Sequence, residues 1–148
     1  MYFVDRNVLE HRLAYMQELL SFLDQRSTIP QVNVEQLAVE RAIHLLIETI
    51  LDVGNQMIDG FIMRDPGSYE DIIEILMDEQ VLTKHQGGQL ISFILLRKEL
   101  VSRYWQVDHT HLWLTFSSSR QALEQFPSNV RSYLEEHLGP VSAFLPNQ

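Results

Sequence analysis

Between residues 34 and 63 the chain carries apolar side chains around about half of a helical circumference. Val39, Ala42, Ile43, Leu46, Ile47, Ile50, Val53, Met57, Ile58 and Phe61 make up this arc at about 100° per residue. Only a narrow seam is polar: Arg41, His44, Glu48, Asp52, Asn55 and Asp59. A helix wetted along one line has to lie at the centre of a bundle, or be shared with a second subunit. The rest of the chain must then supply helices to cover it.

The spacing elsewhere predicts them. A first helix is expected over residues 6–24, with Asp5 or Asn7 as N-cap and an apolar stripe of Val8, Leu9, Leu13, Met16, Leu19, Leu20 and Leu23. Residues 27–33 form a loop around Pro30. Pro66-Gly67 suits the centre of a type II turn, and Ser68 with Asp71 has the spacing of a helix start. A short third helix follows over residues 69–78. Thr83 opens the next segment, whose first turns Gly87-Gly88 weaken, so the main fourth helix is expected over residues 89–107. A fifth starts near residues 109–112 and stops before Pro127; a last short one covers residues 128–138 and ends at Gly139-Pro140. No hairpin signal or alternating strand interrupts the pattern. The expected fold is all-α, an antiparallel up-and-down bundle of four main helices plus short extra helices, in one domain over residues 1–148.

Charge and composition narrow the function. A net charge of −9 argues against broad nucleic-acid binding, which depends on neutralising phosphates. It leaves room for a local basic site, because Arg97, Lys98 and Arg103 place three of the eleven basic residues within seven positions. With no cysteine, the chain has no disulfide, thiolate metal site or Cys nucleophile. No apolar run is long enough to span a membrane and the N-terminus lacks a signal-peptide pattern, so a cytoplasmic location is expected.

Arg97 is the residue that most needs explaining. On a continuous helix Leu90, Phe93, Ile94, Leu100, Val101 and Tyr104 lie within about 40–60° of it. A guanidinium keeps its proton, so burial obliges it to find an anion within the fold, on a ligand or on a second subunit. Glu48, Asp52 and Asp59 on the seam are the expected partners. Tyr104 shares the same face and needs a partner for its hydroxyl if buried. The wide arc and the arginine-bearing face together predict a homodimer with an interface above ~2,000 Å².

Other constellations carry less. His44, Glu48 and Asp52 have the spacing to hold a metal from one face, but no second Glu-x-x-His answers them, and an ion-pair seam is expected instead. Asp108-His109-Thr110-His111 reads as an exposed helix start. Ser117-Ser118-Ser119 has no His at triad spacing, and Gly87-Gly88 lacks the residues of a phosphate loop. Trp105, Trp113 and Phe116 read as core or interface. No cofactor and no metal are expected.

Several stretches together resemble the HepT-like (YutE-like) branch of the HEPN superfamily, small bacterial all-helical proteins. They are Met1-Tyr2-Phe3-Val4-Asp5-Arg6, Leu45-Leu46-Ile47-Glu48 with Asp52-Val53-Gly54-Asn55, the specific run from Ile58 to Tyr69, and Leu138-Gly139-Pro140-Val141-Ser142. The resemblance covers essentially the whole chain. It implies a HEPN-like bundle that dimerises, with an Arg-x4-His-x-Tyr ribonuclease motif at the dimer cleft. It implies metal-independent RNA cleavage in active relatives. It also implies a minimal nucleotidyltransferase antitoxin as partner, able to adenylylate the motif tyrosine. Here those positions hold Arg97, Ser102 and Tyr104, so the arginine and tyrosine are present and the histidine is not. Cleavage by 2′-hydroxyl attack needs a base that titrates near neutrality, which a serine hydroxyl does not provide. The expectation is a toxin–antitoxin-lineage protein whose ribonuclease activity is lost or reduced. It would bind nucleotide, RNA or protein through Arg97, Lys98 and Arg103 beside Glu48, Asp52 and Asp59. The alternatives are an active RNase toxin with an altered base, His44 or His109 being the possible substitutes, and a structural dimer with no nucleic-acid role.

Overall fold

The computed structural model describes residues 4–138. Its order is α1 (Arg6–Asp24), α2 (Asn33–Gly60), α3 (Tyr69–Asp78), α4 (Lys84–Ile94), α5 (Leu96–Ser102) and α6 (His109–Leu138). No strand occurs among the described residues, and none of their helices is long and apolar enough to cross a membrane. The Gly139-Pro140 stop, the first three residues and the Val141-Ser142 stretch lie outside the described residues.

Each helix start has a local cause. The Asp5 carboxylate accepts from the Asn7 and Val8 amides and caps α1, choosing between the two expected caps. Ser68 caps α3 by accepting from Asp71 N–H at 3.0 Å. Thr83 and Gln86 form a reciprocal capping box that starts α4 five residues before the expected main helix. The glycine pair therefore lies inside α4. Gly87 is buried against Met77, and a Cβ there would overlap the Met77 side chain, so the missing side chain lets α3 and α4 meet.

The long apolar arc of α2 is buried within the chain itself, with Ile43, Leu46, Ile47, Ile50, Val53 and Met57 fully covered by its own helices. It therefore gives no support for a second subunit. Helices α1 and α6 run antiparallel, tied at opposite ends by Glu10–Arg131 and Asp24–Arg120. Helices α4 and α6 also run antiparallel. They are joined by Gln86–Gln125 at 2.8 Å, Gln86–Asn129 at 2.9 Å and the buried Ser119 hydroxyl donating to the Gln89 carbonyl.

Further boundaries differ from expectation. The fourth helix does not run unbroken over residues 89–107: the ladder tightens at Leu95, where Lys98 N–H donates to the Leu95 carbonyl three residues back. The chain then leaves helix after Ser102. Glu99 accepts from the Asp108 amide at 2.6 Å and closes the connection, while Asp108 caps α6 through the His111 amide. The fifth and sixth expected helices are one, with Pro127 buried inside α6. The proline leaves one carbonyl without its intrahelical donor. Burial of Phe126, Val130, Tyr133 and Leu134 on the same helix offsets that loss.

Helix α2 ends at Gly60, three residues early. Ile62 takes φ 54°, its amide donates to Asp59 and the Met63 amide reaches back to Ile58 at 2.9 Å, a Schellman cap. The same device with Gln80 at φ 63° ends α3. The Pro66-Gly67 pair is not a type II turn: Gly67 lacks the positive φ that turn requires, and its amide donates to Asp71 at 2.8 Å.

A β-branched, 70% exposed residue in the left-handed region is strained and gains little from burial. Ile62→Gly is expected to raise stability by about 1 kcal/mol in denaturant melts. A loss of stability would mean that the side chain is engaged elsewhere.

Candidate functional site

Helix α5 carries Arg97 to the polar seam of α2. Its Nε–H donates to Glu48 Oε1 at 2.6 Å, and the guanidinium carbon lies 4.6 Å from the centre of the Tyr69 ring. Glu48 strengthens the hold of the guanidinium on its proton, outweighing the opposing effect of partial burial. The two Nη groups of Arg97 make no hydrogen bond among the described residues.

The same Glu48 oxygen lies 3.2 Å from His44 Nε2, and His44 Nδ1 is 3.5 Å from Arg41 Nη1. One tautomer satisfies both contacts: Nε2–H donates to Glu48 while Nδ1 accepts from Arg41. Glu48 is thus the hub of the seam. Asp52 and Asp59, the other expected partners, are exposed and take no part. The side chain of Arg97 is 27% exposed and that of Glu48 33%, so the pair is half-buried at the mouth of a pocket, not enclosed by the core.

That pocket measures about 280 Å³ and is lined by Tyr69, Glu70, Ile94, Leu95, Arg97, Lys98, Val101 and Ser102. Arg97 and Ser102 meet in it, together with Lys98. Tyr69 was not among the candidate residues of the sequence, although it ends the most specific family-like run. It opens α3, whose first turn is tied to the preceding loop where Asp71 accepts two hydrogen bonds from Arg64 and one from Gly67 N–H. These donors hold the Asp71 carboxyl below its usual range, Arg64 contributing most.

Tyr104 departs most from expectation. The helix stops at Ser102, so Tyr104 lies in the turn beyond it, 69% exposed, and is not on the buried face with Arg97. Its ring meets Trp105 edge to face at 5.4 Å; Trp105 is 67% exposed and is not core. Phe116 is buried and Trp113 partly so. Arg103 faces away from the Arg97 pocket, on the side of Glu99. His109 Nε2 contacts Glu40 at 2.6 Å, so it is a half-buried tie between α6 and α2, not an exposed cap. Among the described residues no three His, Asp or Glu side chains gather as a metal site would need.

The family model "Ribonuclease HepT-like" matches residues 9–130, which hold the Arg97 pocket and the whole α2 seam. The chain belongs to the HepT-like ribonuclease family. YutE of Bacillus subtilis (strain 168), provisionally named an RNase, is 50% identical over 144 residues, covering 97% of this chain and 99% of that protein. The solved structure of YutE, a cytosolic protein, superposes with a TM-score of 0.92 at 49% identity, covering 97% of this chain and all of that one. A toxin–antitoxin structure with AMP-PNP gives a TM-score of 0.77 at 16% identity over 85% of this chain and 98% of that chain. A tri-AMPylated Shewanella oneidensis HEPN toxin in complex with MNT antitoxin gives 0.75 at 17%, over 84% and 97%. These last two share the helical-bundle fold with this chain.

A half-exposed pair costs less to break than the ~3–5 kcal/mol of a buried one. Arg97→Ala and Glu48→Gln are each expected to lower stability by about 1–2 kcal/mol in denaturant melts. Losses above 3 kcal/mol would place the pair in a closed core.

Proposed function

We propose that this HepT-like protein is a dimeric, cytoplasmic member of the toxin–antitoxin lineage, a single domain throughout. It binds the phosphate of a nucleotide or RNA at the Arg97 pocket, with ribonuclease activity lost or strongly reduced. The observation that carries this reading is the anchoring of Arg97 through Nε alone. Both Nη groups are left as a fork for phosphate oxygens, with Lys98 on the same rim and the Tyr69 ring beside the guanidinium. The exposed Tyr69, Leu95 and Val101 around that rim are where a second subunit would complete the cleft.

The pocket lining contains no imidazole; Ser102 stands at the motif position. A hydroxyl does not accept a proton from a ribose 2′-OH at neutral pH, and general acid–base terms are worth typically ~10²–10⁴-fold. Arg97 alone supplies charge stabilisation without proton transfer. The exposed Tyr104 hydroxyl is accessible to a nucleotidyltransferase partner, which supports its assignment as a modification site. An adenylyl group there would bring an anion to the exposed turn that follows α5.

A second reading, an active metal-independent ribonuclease, is favoured by one contact: His44 shares Glu48 with Arg97, which brings an imidazole to the carboxylate that anchors the guanidinium. Glu48 stands between them and occupies the Nε2 side of the ring, which is why the first reading is preferred.

Ser102→His is expected to raise cleavage of a single-stranded RNA by up to about 10²-fold over a low wild-type rate, with chelator leaving the variant unaffected. A wild type that already cleaves as fast as the variant would overturn the reduced-activity reading, and loss of that activity in His44→Ala would establish the second one.

A further inference from the structure

Eleven lysines and arginines serve this acidic chain. The side chains of seven are engaged: Arg64, Arg97, Arg120 and Arg131 by carboxylates, and Arg12, Arg26 and Arg41 by an amide, a carbonyl and a histidine. Those of the other four, Arg6, Lys84, Lys98 and Arg103, bond to nothing among the described residues. Three of these four line one groove.

The groove lies between α4–α5 and α6 and is built from two adjoining concavities. The upper, about 410 Å³, holds Lys84, His85, Ser92 and Ser118. The lower, about 540 Å³, shares Ser92 and Ser118 with it and adds Lys98, Arg103, His111 and Thr115. Leu95 and Lys98 are common to the lower concavity and the Arg97 pocket, so the two meet over the rim of α5. One carboxylate, Glu99, lines the groove, and it accepts the Asp108 amide. Tyr104 and Trp105, whose rings are exposed, follow Arg103 directly in the chain, outside the lining itself.

Cations free of internal partners, spaced along a concave track with hydroxyls between them, are the chemistry of a phosphodiester backbone. Two exposed aromatic rings directly after Arg103 in the chain offer faces on which unpaired bases stack. We infer that this α4–α6 groove is a binding track for single-stranded RNA, leading a strand past Lys84 and Arg103 over the α5 rim to the Arg97 pocket. The inference rests on the phosphate-directed reading of that pocket. It adds a binding surface outside the pocket and explains how a chain of net charge −9 holds a polyanion: the attraction is concentrated on one face.

The test leaves Arg97, Lys98 and Ser102 untouched, so that it stands apart from the cleavage assay. The probe is a fluorescein-labelled oligouridylate of about ten nucleotides, titrated with the full chain and followed by anisotropy over a range of salt concentrations. The double variant Lys84→Gln/Arg103→Gln is expected to bind on the order of tenfold more weakly at low salt. Its log–log salt slope should be shallower by about 1.4, at roughly 0.7 per lost single-strand contact. The charge-preserving Lys84→Arg/Arg103→Lys should bind like wild type. So should Arg6→Gln, which removes the unpaired cation outside the groove. The inference is overturned if the wild type does not bind the probe at low salt, as a groove for an acidic protein surface would behave. It is equally overturned if the Gln pair keeps its affinity and slope, or if Arg6→Gln weakens binding as much. Binding that depends on the groove without any cleavage by Ser102→His would leave the groove standing and count against the ribonuclease motif. Cleavage that ignores the Gln pair would do the reverse.

Discussion

The ion pair between Arg97 and Glu48 joins the short helix α5 to the long central helix α2, and the site is organised around it. Glu48 is the meeting point of two donors, the Arg97 guanidinium and the His44 ring, on a seam that is otherwise wet. From Val39 to Met57 the apolar arc of α2 is covered by the chain's own residues, and Glu48 lies on the polar seam opposite, where charge can meet solvent. The break at Leu95 has the same consequence from the other side. Past it, Leu96 and Leu100 of α5 are buried while Arg97 reaches across to the seam.

Partial exposure leaves the pair within reach of solvent. A fully enclosed arginine would spend all its donors on internal acceptors. Here one nitrogen is tethered and two make no hydrogen bond among the described residues, and the Tyr69 ring lies 4.6 Å from the guanidinium carbon. The tether positions the group with little freedom left to lose on binding, which favours a phosphate ligand. The residues matched by the HepT-like ribonuclease family include the whole of this pocket. Ser102 lines the pocket where the family motif has an imidazole, and this is the chemical ground for the proposed loss of cleavage.

Most of the architecture was legible in the residues. The arc of α2, the Asp5 and Ser68 caps and the stripe of α1 are local signals, and they appear where the periodicity put them, except Val8, which is exposed at the first turn of α1. Misread boundaries came from tertiary causes. Nothing in residues 89–107 announces the end at Ser102, because the connection is closed by Glu99 reaching the Asp108 amide. Pro127 predicts a stop, yet α6 passes through it because packing on both sides outweighs one lost hydrogen bond. The Schellman ends at Ile62 and Gln80 lack the glycine that would have marked them. At the site, Arg97, Glu48 and Lys98 were legible from charge and helical angle. Tyr69 was hidden, since a loop brings it to Arg97 from outside both helices. Tyr104 was misplaced by the assumption of an unbroken helix.

The central claim is that Arg97 is held through Nε and open at Nη, and arginine-selective ¹⁵N NMR with added 5′-AMP tests it most directly. The account predicts a low-field Nε–H signal for Arg97 that disappears in Glu48→Gln and stays in place as nucleotide is added, while the Nη signals shift and saturate. An Nε–H signal that moves together with the Nη signals would show that the nucleotide displaces Glu48. No response of any Arg97 signal would show that the pocket does not take phosphate.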